Sequence, residues 1–171
     1  ELGYLRTDDG ANVADWASSA RETYFLNPLP GTFYGGDPAS DPRVGQRAAW
    51  YSWQWGDALF IALDPFWNTL GRISRDPWAI TLGDDQYHWL ESTLEASTAR
   101  YKFVFIHNLV GGLDGSMRGG IEAASLFEWG GHETDGTDTF ATHRPGWSLP
   151  IHQLLAAHGV TAVFHGHDHV Y

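Results

Sequence analysis

Three histidines fall within five positions near the end of the chain, in the order His165, Gly166, His167, Asp168, His169, directly after the apolar run 160–164. In an extended segment, side chains two residues apart point the same way, so His167 and His169 can face one metal centre together. Neutral imidazole is the commonest metal ligand and suits Zn, Fe, Mn or Ni. Gly166 frees the backbone to turn sharply off the strand and come close to a neighbour. A surface loop that is merely rich in histidine would carry the same letters, but its place at the end of a buried strand argues against that. A further histidine, His107, followed by Asn108, ends the apolar run 101–106. Alone it reads as a structural histidine. A second strand ending in histidines makes it a candidate ligand beside His167.

The elements that must position these residues are legible as patterns. Residues 83–98 place Tyr87, Leu90 and Leu94 on one face behind Asp84 and Asp85, which predicts a helix with acids at its N-terminus. The run 101–106 follows as a buried strand. Residues 121–129 and 150–158 read as two more helices, the second stopped by Gly159, and 160–164 as the last strand. Helix before strand thus occurs twice, which predicts an α/β layered sheet with its reactive residues at the strand ends. Upstream, 12–24 has helical spacing, and 27–45 is rich in Pro, Gly and Asp and reads as irregular. The alternating aromatic run 49–55, Gly56 and Asp57, and the run 58–63 predict a β-hairpin. Trp50, Trp53 and Trp55 are expected on one buried sheet face.

Composition excludes several function classes. The chain has 171 residues, 43% of them hydrophobic and 18% charged, enough for one domain with a real core. No apolar run approaches the ~18 residues that span a bilayer. Nine Trp, seven Tyr and nine Phe argue against disorder. A formal net charge of −11 disfavours a general nucleic-acid binder, because phosphate backbones attract basic surfaces. Cysteine is absent, so thiolate metal sites are excluded and any metal must be held by His, Asp, Glu or Asn.

The pair of segments from Phe103 to His107 and from Val163 to His169 resembles the last two signature blocks of the calcineurin-like metallophosphoesterases. In that family a lone histidine follows one strand, and the next block reads Gly-His-x-His. Residues 51–64 are similar to the strand pair after the family's third block, and 81–90 to the helix leading into the lone-histidine strand. The resemblance implies one half of a four-layer αββα sandwich, so that residues 1–171 form the C-terminal part of a single domain. It assigns His107 and His167 to a second metal and His169 to a first, with two divalent or trivalent ions of Fe, Zn or Mn. Asp168 takes the variable position, and His165 lies outside the motif as a supporting residue. The blocks Asp-x-His, Gly-Asp-x-x-Asp and Gly-Asn-His-Asp or Gly-Asn-His-Glu, which carry the bridging carboxylates, do not occur. Glu1 stands where the last letter of the third block would fall, a candidate for orienting a catalytic histidine. The chain is thus expected to be a fragment, inactive alone, whose parent hydrolyses phosphomonoesters or phosphodiesters. Its compartment is open between export and cytoplasm.

Arg118, on the glycine-rich stretch between the histidine blocks, suits bidentate contact with a phosphate and equally reads as an ordinary surface arginine. Asn108 and His143 are the other candidates for substrate contact, with His132 and Arg144 on the same excursion. Three rivals stand beside this reading. A metallo-β-lactamase motif needs one residue more than the spacing here allows. A cupin predicts an all-β pattern, which the helices contradict. A non-catalytic metal-binding or ligand-binding domain accounts for the lack of a complete catalytic set.

Overall fold

The computed structural model describes residues 13–69, 76–110 and 119–167. Helix α1 (Val13–Tyr24) is followed by three two-residue strand pieces, β1 (Gly35–Gly36), β2 (Ser40–Asp41) and β3 (Gly45–Gln46). The latter two pair only with each other. The hairpin β4 (Tyr51–Trp55) and β5 (Ala58–Ala62) turns at Gly56, whose φ of 55° suits a residue without Cβ. Helix α2 (Asp84–Ala96) then leads into β6 (Tyr101–Ile106). The short helices α3 (Phe127–Gly130) and α4 (Phe140–His143) and the longer α5 (Ile151–Ala157) precede β7 (Ala162–His165). The main sheet has the order β1-β4-β5-β6-β7, antiparallel as far as β5 and parallel from β5 to β7. This mixed sheet with its helices is an α/β architecture. Among the described residues no helix is long and apolar enough to cross a membrane.

One face of the sheet carries the core. Leu59, Ile61, Val104 and Ile106 project into a cluster with Tyr87, Leu90 and Leu94 of α2 and Ile151, Leu154 and Leu155 of α5. The spacing of the buried residues on α2 is the i, i+3, i+4 pattern of a helix with one apolar stripe. Lys102 leaves β6 on this side, and its Nζ donates to the His158 carbonyl at 3.0 Å, a cation on the C-terminal end of α5.

The expected helix over 121–129 is broken. A 3₁₀ turn spans Ile121–Ala123, Leu126 is extended, and only Phe127–Gly130 is helical. The cause is tertiary. Glu128 is fully buried and accepts from Arg144 Nε at 2.7 Å, from the Thr81 hydroxyl at 2.6 Å and from Leu82 N–H at 2.8 Å. Drawing that carboxylate into a fixed set of donors overrides the local periodicity.

The tryptophans also depart from expectation. Trp50 is buried, but it precedes β4, whereas Trp53 is half-buried and Trp55 exposed. Trp53 belongs to a row of rings on the face away from the core. It stacks on Tyr51 at 5.9 Å and on Phe60 at 4.9 Å, and the row continues through Phe103 and Phe164 to Phe105. Alternation places residues on a common face but does not say which face the helices cover.

Candidate metal centre

Parallel strands present their C-terminal ends along one rim, and β5, β6 and β7 do so here. Ile106 and His165 are register partners, so the residues that follow each strand emerge side by side. The two segments are tied by Gly166 N–H, which donates to the His107 carbonyl at 2.9 Å. His167 takes a φ of 75°, a left-handed conformation uncommon outside glycine. Turned in this way, its Nδ1 lies 3.0 Å from His107 Nε2, with the two rings 5.1 Å apart at 78°. One nitrogen carries the shared proton and the other accepts it.

This arrangement fits two ligands of one metal ion. With metal–nitrogen bonds of about 2.0–2.1 Å, two neighbouring imidazole nitrogens stand roughly 3 Å apart, close to the observed separation. Among the described residues no group of three or more His, Cys, Asp or Glu is arranged to hold a metal. Among those residues His107 and His167 stand as a pair. It borders an open cleft of about 410 Å³ along the rim, lined by Ala62, Phe105, Phe164 and Gly166 among others.

The remaining sequence candidates separate into three groups. Glu1, Arg118, Asp168 and His169 lie outside the described residues. His165 ends β7 and lines both the rim cleft and a second one of about 370 Å³ beside Trp129 and His152. Asn108 is completely buried, its Nδ2 donating to Leu109 carbonyl at 3.3 Å and its Oδ1 without a hydrogen-bond partner among the described residues. The Asn108 side chain has no exposed surface, unlike the His107 imidazole before it.

The excursion between the histidine blocks is occupied by its own packing. His143 stacks on Trp78 at 4.2 Å, with its Nε2 3.6 Å from Glu133. His132 holds the carbonyls of Ser125 and Gly130 with Nδ1, at 3.1 and 3.0 Å. Arg144 completes the Glu128 cluster.

One neighbour of His107 escaped the sequence reading. The ring of Phe66 lies 5.4 Å from the imidazole at 46°. The only signal was Asp64 and Pro65 closing β5. Asp64 caps this turn, and loss of water around its carboxyl raises its pKa above the usual carboxylate range. The Phe66 and Trp67 N–H groups, and the charges of Arg21 and Arg47, pull it the other way.

No family model, curated protein or solved structure matches the chain.

Proposed function

We propose that this chain is the histidine-bearing part of a two-metal phosphoester hydrolase of the metallophosphoesterase type. The observation that carries the reading is the pair His107 Nε2 and His167 Nδ1, 3.0 Å apart at the joined ends of two parallel strands. Together with His169 they would hold two ions of Fe, Zn or Mn. Such a metal pair polarises a phosphoryl oxygen and supplies a hydroxide at neutral pH. The imidazoles contribute no charge of their own, so the centre keeps positive charge for an anionic phosphoester. For both nitrogens to face a metal, the imidazole that carries the shared proton would hold it on its other ring nitrogen instead, so both rings stay neutral. Gly166 N–H on the His107 carbonyl ties the two segments together. The bridging carboxylates must come from elsewhere.

The same reading gives the aromatic face a role. A second sheet laid on Tyr51, Trp53, Phe60 and Phe103 would complete a four-layer αββα sandwich. Its strand ends would meet the histidine rim from the opposite side, where the carboxylates are needed. This chain alone would then be inactive toward phosphomonoesters and phosphodiesters alike. A non-catalytic metal-binding or ligand-binding domain is the second reading, favoured by the two-ligand character of the described site.

Turnover separates the two. The intact protein, loaded with Mn²⁺, Zn²⁺ or Fe²⁺, should hydrolyse an aryl phosphate monoester or diester. His107→Ala and His167→Ala should each lower kcat by more than the ~10–100-fold that loss of an outer-shell partner costs. Turnover that both variants retain would remove the hydrolase reading, and metal binding without turnover would establish the second one.

A further inference from the structure

The turn that leaves β5 is held more firmly than a connection to α2 requires. Asp64 Oδ1 accepts the N–H groups of Phe66 at 2.8 Å and Trp67 at 3.3 Å. Gln86, fully buried on α2, grips the Asp64 backbone in both senses. Its Oε1 accepts Asp64 N–H and its Nε2 donates to Asp64 carbonyl, each at 2.8 Å. The Thr69 hydroxyl donates to Pro65 carbonyl at 2.9 Å, and Thr69 N–H donates to Phe66 carbonyl at 3.1 Å. Every peptide unit from Asp64 to Phe66 is therefore engaged by a side chain or a turn bond.

That rigidity ends on a ring in contact with His107. An exposed imidazole can occupy several rotamers, and its χ2 well is broad. Metal-binding histidines are usually oriented by a second hydrogen bond that fixes the ring. The clamped Phe66 ring adds a restraint of its own by contact.

We propose that Phe66 is the positioning residue for His107, holding the imidazole with Nε2 turned toward His167. The Asp64 and Gln86 clamp keeps Phe66 in place. This rests on the reading of His107 and His167 as metal ligands.

The test uses the intact protein with isotope-labelled histidine, comparing wild type, Phe66→Leu, Phe66→Tyr and His107→Ala. In the metal-free protein, nuclear Overhauser contacts between Phe66 and His107 ring protons are expected, with a ring-current shift at His107. Phe66→Leu should abolish that shift and weaken Zn²⁺ binding by about 10-fold, within the range for outer-shell partners. Phe66→Tyr should restore both. Absence of the ring contacts in wild type overturns the proposal without any variant. So does Phe66→Leu binding Zn²⁺ like wild type while His107→Ala has lost it. If His107→Ala itself binds Zn²⁺ like wild type, the metal-site reading fails first, and the ligand role of Phe66 with it.

Discussion

The two faces of the main sheet are built from the same strands and finished differently. On the helix side Ile61 and Val104 have no exposed surface. On the other side Phe105 keeps 38% and Phe164 51% of theirs. Both faces carry apolar side chains, and β5, β6 and β7 form the parallel part of a mixed sheet; all-parallel sheets are the ones covered on both faces. The row of rings on the side away from the core is half-buried from Tyr51 to Phe103 and exposed at Phe105 and Phe164, and apolar surface of that kind suits contact. Among the described residues the helix face thus carries the core, and the aromatic face keeps its surface partly open. His107 follows β6 at the rim where the two faces meet, and the proposed metal centre lies there.

The largest effect expected lies on the covered side. Glu128→Ala would leave the Arg144 guanidinium without its buried carboxylate, a loss of about 3–5 kcal/mol measurable by urea unfolding. Next comes the core face itself. Ile61→Ala should cost about 2–5 kcal/mol, whereas Phe164→Ala in this chain should cost under about 1 kcal/mol, as a partly exposed position does. Equal costs at the two positions would break the comparison.

How far the sequence anticipated this follows from where each interaction reaches. The hairpin, α2, β6, α5 and β7 all stand within two residues of expectation, because period, turn residues and stop signals are local. The His107 and His167 pair spans 60 positions, yet strand ends on one rim were enough to join it. The break at 121–129 was not legible, since the donors that capture Glu128 sit 46 residues before it and 16 after. Trp50, Trp53 and Trp55 do not share the one buried face that alternation suggests: Trp50 is buried ahead of β4, and Trp53 stacks on the side away from the core. With apolar residues on both faces, alternation cannot choose. Phe66 was missed because its contact with His107 depends on the alignment of β5 beside β6, not on any motif.

The smallest effect is a slope. With its folded pKa raised above the unfolded value, Asp64 adds stability that is fully present below the ordinary carboxylate pKa of about 4. That contribution is lost as pH rises through the raised folded value. Asp64→Asn keeps an oxygen for the Phe66 and Trp67 N–H groups and removes the titration. Urea midpoints between pH 4 and 8 should therefore fall less steeply in the variant, and parallel curves would show that Asp64 carries no such linkage.

The most direct measurement is anomalous diffraction from crystals of the intact protein soaked in Zn²⁺ or Mn²⁺ and recorded at the metal edge. The account predicts a peak bonded to both His107 Nε2 and His167 Nδ1. A map without density there, with the two imidazoles still sharing a proton, would contradict it.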